Sequence, residues 1–528
     1  MAFQIPKHQA EQITNMSDNS GGMNIVAAED KIAENECVDA TNFQIQFYGS
    51  KFRTRPALSP AMITESAPIS HIWYDQTTHE IYYFVGESGH TKKIYKYNDD
   101  IMEKLYIGDT TGTEDKPSCV NFNGNIFIAS GSHLQCYLEN PAPIWAAYIN
   151  SLVTLDGSLM ASDGTKINNS PLANIVYVQY SRLVVVQSNA DNIYWSAIAD
   201  ALSEHAIGIE NDDDDDTSSA KYIQGVGSMD ASKIISLNTM ATDLIAFKGS
   251  GKVYSITGNA PDWYVTEIGV KSNIITKDAV TAFQDNLLFA ATSGLAYLQS
   301  KSTYGNYALK EFGVNINPEI IRTVSIPWFA DCPIRHQLLI SPNSSNVLWC
   351  YHYNSNGFTK WVFPATYKLH DAVETQNGTY IAVEDSDGKG LLCMLNDDIY
   401  QDFGTTPISQ IYKSRRLTNF DLMTSHIENV KVSALDDSDG ELLLKCRTGT
   451  QYFANKQPYL IKDWKYNHNY PVIHVRNQIR DESLQYIIET KSPIVLEYLS
   501  ESVIYNADGQ PSQNQGPLTN LADQLKRR

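Results

Sequence analysis

One pattern recurs along the chain and constrains its fold more than any other feature. An apolar strand, a polar turn, a second apolar strand, a turn containing glycine and a third strand follow one another, and then the unit repeats. The clearest copies are VNFNGNIFIASGSHLQCYL (120–138), VQYSRLVVVQSNADNIYWSAI (178–198), MATDLIAFKGSGKVYSI (240–256), VTAFQDNLLFAATSGLAYL (280–298) and AVETQNGTYIAVEDSDGKGLLCML (372–395). Looser copies lie at 79–98 and 336–363. A three-stranded meander leaves edges open and cannot cover both of its faces, so radial repetition is the economical arrangement. With a blade of about 40 to 50 residues, the span 71–396 holds about six to eight units. The reading is an all-β fold, a six- or seven-bladed β-propeller followed by an antiparallel β-sandwich. Two stacked sandwiches, the rival layout, would space strands at about 8 to 12 residues without the repeated unit.

Composition agrees. The chain has 528 residues, 31 of them Tyr against 10 Met and 20 Pro, a bias toward strands over a helical bundle. The formal charge of −20 argues against wrapping tightly around nucleic acid, which needs clustered Lys and Arg to neutralise phosphates. No stretch reaches the about 18 apolar residues of a membrane-spanning helix, and MAFQIPKHQAEQITNM lacks the basic and apolar regions of a signal peptide. A soluble protein without membrane insertion is expected. Cys37, Cys119, Cys136, Cys332, Cys350, Cys393 and Cys446 are odd in number and scattered, which suits free buried thiols in a reducing compartment.

The organisation follows from shifts in texture. Residues 1–20 are polar without a sustained period and read as a flexible or extended arm. Residues 21–70 supply N-terminal strands that close or brace the propeller. Among them Phe43, Ile45 and Phe47 alternate with glutamines, and Gly49 can turn the chain into a hairpin over 43–55. That hairpin is expected to add to the blade nearest residue 396. The propeller occupies 71–404, and insertions near 142–175 and 200–238 could displace or replace a blade strand. From 405 to 505, ISQIYKSRRL, IENVKVSAL, ELLLKCRT, YPVIHVRNQI, LQYIIET and IVLEYLSESVIY read as strands of a separate sandwich. Residues 506–528 are a linker and a short tail. In that tail Leu518, Leu521, Ala522 and Leu525 share one helical face ahead of Lys526-Arg527-Arg528, the pattern of a helix that docks on a partner.

Chemistry-bearing motifs are sparse. H-E-x-x-H, a full P-loop and G-x-S-x-G are absent, and the histidines do not fall at helical ligand spacing. Gly225-Val226-Gly227 lacks the third glycine of a nucleotide fingerprint. Before Gly388 and Gly440, Val383 and Leu435 stand where a calcium loop needs its first oxygen ligand. The run Asp212, Asp213, Asp214, Asp215 and Asp216 reads as a solvated loop facing solvent or a channel, with adventitious cation binding as the alternative. The stretch Asn356-Gly357-Phe358-Thr359-Lys360-Trp361 lacks the acid of the turn that marks sialidase propellers. No catalytic residue, cofactor or metal is expected.

At the ordered N-terminus stand Gly21-Gly22-Met23-Asn24, Ile32, Asn35-Glu36-Cys37, Asn42 and Arg53-Thr54-Arg55-Pro56. Further on come Gly269-Val270 leading into LLFAATSGLAYL, and Tyr304-Gly305-Asn306-Tyr307 leading into EFGVNINPEI. This set resembles the β-propeller tail nozzle or hub proteins of short-tailed bacteriophages, although Ala57 replaces a glycine of that pattern. The resemblance spans 21–505. It implies a structural virion protein, made in the host cytoplasm and hexameric around a channel below the portal and adaptor. Its partners would be the head–tail adaptor and other tail proteins (fibres, tip or plug), with DNA passing nearby without specific binding. The alternative is a propeller module that recognises a host receptor or glycan.

Overall fold

In the computed structural model the described residues are 10–16, 18–46, 48–98, 100–207, 218–227, 229–240, 242–258, 263–301, 306–435, 440–449, 457–466 and 472–505. The chain divides into two compact units, a larger one of 59–348 and 364–395, and a smaller one of 1–58, 349–363 and 396–528.

The larger unit is a succession of antiparallel sheets, each built from consecutive strands. The first has Ile69–Asp75, Glu80–Val85, Lys93–Asn98 and Glu103–Asp109; the second has Ser118–Phe122, Asn125–Ala129, Gln135–Tyr137 and Leu152–Thr154. The third has Ala173–Gln179, Arg182–Gln187, Ile193–Trp195 and Lys221–Ile223. The fourth has Ile234–Met240, Asp243–Lys248, Lys252–Thr257 and Tyr264–Lys271, and the fifth Val280–Phe283, Asn286–Ala291, Gly294–Lys301 and Asn306–Glu311. A short helix, Asn317–Thr323, leads to Trp328–Cys332 paired with Gln337–Ser341. The last sheet has Lys368–Glu374, Thr379–Glu384 and Gly390–Asn396.

Burial explains why these residues form these strands. The second strand of each sheet is covered on both faces: EIYYFV, NIFIA and QLLIS are buried throughout. Such strands read as continuous apolar runs. Their alternate side chains serve two neighbours. Leu183 and Val185 join a core with Phe127 and Leu134 of the second sheet, while Val184 and Val186 join one with Leu244 and Ile256 of the fourth. Tyr82 and Phe84 likewise meet Ile126 and Ile128, while Tyr83 and Ile81 meet Tyr380 and Leu392 of the last sheet. First strands adjoin in sequence order, and Lys368–Glu374 adjoins Ile69–Asp75. Sheets packed face to face in a cycle make a β-propeller.

Two expectations are corrected here. The hairpin within 43–55 exists, Phe43–Ile45 on Phe52–Thr54, but its second strand pairs with Ile494–Tyr505 in the smaller unit. The strand added to Gly390–Asn396 in the larger unit is Ile63–Glu65. That position needs an inward apolar residue and a partner for a buried hydroxyl. Ile63 enters the core with Tyr380, and Glu65 accepts from Tyr83 Oη at 2.9 Å. Residues 142–175 and 200–238 do not displace blade strands either; they contain the fourth strands Leu152–Thr154 and Lys221–Ile223.

The smaller unit joins distant parts of the chain. Its pairing path runs through Gly22–Met23, Glu36–Thr41, Gln410–Ser414, Val472–Thr490, Leu417–Ala434, Ile494–Tyr505, Phe52–Thr54 and Phe43–Ile45. Gly440–Thr448 and Tyr459–Tyr466 attach at Val472–Thr490. Residues 405–505 therefore share a unit with 1–58 and 349–363, where the sequence suggested a division at 404. The expected strands YPVIHVRNQI and LQYIIET form one strand, Val472–Thr490, since no Gly or Pro interrupts that span. Within the arm 1–20, Ala10–Met16 is a strand pairing antiparallel with Ile494–Tyr505.

Candidate functional site

The first strands of the larger unit surround an axial cavity of about 620 Å³ at the ends where they begin. Turns between second and third strands complete its wall. Lys116, Asn174, Lys277, Lys368, His370 and Glu384 are among the lining residues. Each comes from a strand start or strand end, so the repeat itself delivers polar side chains to one place.

Most of these groups are already paired. Glu384 accepts from Lys368 Nζ at 2.8 Å and meets His370 Nε2 at 2.7 Å. Burial lowers the basicity of His370 despite that contact. Lys277 Nζ donates to Asn174 O at 3.1 Å. Next to the cavity Asp371 links three sheets. Its carboxylate lies 2.5 Å from His71 Nδ1 and 3.3 Å from Lys116 Nζ, and accepts from Ile72 N at 3.1 Å. Burial works against ionisation there, yet Lys116 and His71 hold the carboxyl down to about 2. A charged group taken from water needs such partners. With cations and carboxylates interleaved, the cavity suits a polar ligand or the side chains of a docked segment.

In the smaller unit Asn42 and Arg55 of the N-terminal pattern form a clasp with Asp402. Arg55 and Asp402 are an ion pair with side chains 1% and 2% exposed, at 2.5 Å. Arg55 Nε also donates to Asn42 Oδ1 at 2.9 Å, and its guanidinium lies 4.0 Å from the Phe363 ring centroid. Asn42 Oδ1 accepts in addition from Val362 N at 2.6 Å. Arg53 Nη2 donates to Asp397 O at 3.1 Å, and Asn24 Nδ2 to Glu36 Oε2 at 2.8 Å. Gly22 has φ +64°, and a Cβ there would come within 2.5 Å of the Phe358 backbone N and O. Only glycine fits. The motif is structural, tying segments far apart in sequence.

The acidic loop Asp212, Asp213, Asp214, Asp215 and Asp216 lies outside the described residues, as do Leu518, Leu521, Ala522 and Leu525. His71, Lys116, His370, Asp371 and Glu384 escape a motif search because the fold, not spacing, brings them together. The signal is positional: Lys116 lies just before a first strand, and His71 and Asp371 lie in the first half or at the middle of theirs. Among the described residues no group of three or more His, Cys, Asp or Glu could hold a metal ion, and no helix is long and apolar enough to cross a membrane. Six of the seven cysteines are buried and Cys119 is partly so.

No family model and no curated protein matches the chain. Among solved structures it is similar to the β-propeller domain of Cps50 (Swd1) from Myceliophteria thermophila, at 9% identity and a TM-score of 0.42, over 65% of this chain and 100% of that one. The cyclic packing of the sheets, rather than this distant likeness, is what makes the larger unit a propeller.

Proposed function

We propose that this chain is a structural component of a short-tailed bacteriophage tail, a nozzle or hub subunit that assembles as a closed homohexameric ring below the portal and adaptor. The observation that carries this reading is the clasp in which Asn42 and Arg55, two residues of the resemblance, meet each other and the buried Asp402, and so unite parts of the smaller unit far apart in sequence. We count seven blades, the last being closed by Ile63–Glu65. The adaptor, fibres and a tip or plug are its partners. DNA passes through without specific contacts, and the chain has no catalytic role. Its place is the virion tail, after synthesis in the host cytoplasm. Cryo-electron microscopy of the particle tests this: six copies in a ring around the tail axis support it, and single or threefold copies refute it.

A second reading, a propeller that recognises a host glycan or receptor, is favoured by the polar axial cavity. Negative-stain images of the purified protein distinguish the two, with rings expected for the first and isolated discs for the second.

A further inference from the structure

In the larger unit the first strands Trp328–Cys332, Lys368–Glu374 and Ile69–Asp75 adjoin in that order. At their ends away from the axial cavity they border a second one, of about 600 Å³, with Tyr74, His79, Phe329, Asp331, Ile334 and Glu374 among its lining residues. That volume is in the usual range for small-ligand sites, about 300 to 1,000 Å³. Strand alternation supplies part of the lining. Trp328, Ala330 and Cys332 are buried, which leaves the partly buried Phe329 and the exposed Asp331 together on the other face of their strand.

The charge of this lining has one sign. Asp331 and Glu374 are its carboxylates, and among the described residues that line it there is no lysine or arginine. Glu374 is half-buried, and its two oxygens accept from Ile334 N at 2.7 Å and Arg335 N at 3.1 Å. The nearby Arg335 favours ionisation of Glu374, yet burial and the charge of Asp331 leave that carboxyl above its usual range. An added cation favours the ionised form of such a group. Rings complete the wall. Tyr74 and Phe329 are both partly buried, and Tyr74 Oη lies 2.9 Å from His79 Nδ1.

An anion in this space meets two carboxylates, and a neutral ligand leaves their charge unused. Aromatic rings beside carboxylates suit a cation that is only weakly hydrated, since the ring quadrupole and the negative charge act in the same direction. We propose that this cavity binds an organic cation, a guanidinium or alkylammonium head on an apolar stem. Asp331, the exposed carboxylate, makes the direct contact, and Glu374 adds its charge at longer range. Pro333 and Ile334, the latter 63% exposed, give the stem apolar surface to lie on. The two cavities have no lining residue in common, and the proposal does not depend on the assignment to a tail.

Saturation-transfer NMR of the full chain with N-acetylarginine amide, N-acetyllysine amide and putrescine tests it, with N-acetylcitrulline amide as the uncharged isostere of the first. Transfer to the methylenes of at least one cation is expected, and none to the citrulline derivative. A response to the amides marks a side chain of a docked polypeptide as the natural occupant, and a response to putrescine alone marks a free amine. Asp331→Asn should weaken binding about tenfold, and Phe329→Leu about two- to fivefold. Asp331→Asn should melt as the wild type does, because the residue is exposed. If Phe329→Leu fails to fold, Asp331→Asn decides alone. Equal transfer to the citrulline derivative, no transfer to any cation, or binding unchanged in Asp331→Asn overturns the proposal.

Discussion

At the scale of single residues, buried charge sets much of the stability. Lys248 has a fully buried side chain; its ammonium donates to Val226 O at 2.6 Å and to Asp230 O, and lies 3.2 Å from Asp191. Lys92 repeats the device in the first sheet, with Glu87 O at 2.6 Å, His90 O at 2.7 Å and Asp115 at 3.3 Å. Each ammonium fills the centre of a loop as a bound cation would. Replacing Lys248 with Met should therefore cost about 3 to 5 kcal/mol in denaturant unfolding, because carbonyls and a carboxylate lose their partner in a buried place. Arg55→Ala should cost a similar amount, read in the smaller unit as lost hydrogen-exchange protection around 402. Asp371 adds a pH dependence. Its pKa is about 2 in the folded chain against 3.8 for a free aspartate, so its contribution is whole above about pH 4 and disappears as pH falls toward 2. Asp371→Asn should flatten that limb of the stability–pH curve. None of this was legible beforehand, since the partners of Lys92 and Lys248 are largely backbone carbonyls, which carry no signature in side-chain identity.

At the scale of elements, legibility tracked burial. NIFIA and EIYYFV announce themselves because both faces are covered. The outer strand Glu103–Asp109 is mostly exposed, so its sequence EKLYIGD has no apolar alternation to detect. Leu152–Thr154 and Lys221–Ile223 are partly buried but only three residues long, too short to show a period inside stretches that read as insertions. Closure was misjudged for a different reason. The alternation of Phe43 and Ile45 with glutamines is the pattern of a strand covered on one face, but every residue of Phe43–Ile45 is buried, and a strand covered on both faces is not a simple edge addition. The real closing strand, Ile63–Glu65, is three residues long and offers little pattern to find. Glu65→Ala would strip Tyr83 and Lys104 of their partner. It should cost about 1 to 3 kcal/mol and raise amide exchange in 390–395 before exchange elsewhere.

At the scale of the whole molecule, charge governs encounters. With −20 per chain, a sixfold ring carries about −120, and duplex DNA should bind weakly and without sequence preference. Sub-micromolar binding at physiological salt with a steep salt dependence, measured by fluorescence anisotropy, would contradict that. Topology governs timing. Residues 10–16 and 52–54 pair with Ile494–Tyr505, the last described strand. A ribosome adds about 5 to 20 residues per second, so the opening segment waits roughly 20 to 90 s for its partner strand to be made. During translation the larger unit has all its strands available first, while Ala10–Met16 and the second edge of Phe52–Thr54 must wait unpaired or be sheltered by a chaperone. A nascent chain released early keeps its blades but lacks the clasped unit, so premature termination yields a product that cannot pass as a finished subunit.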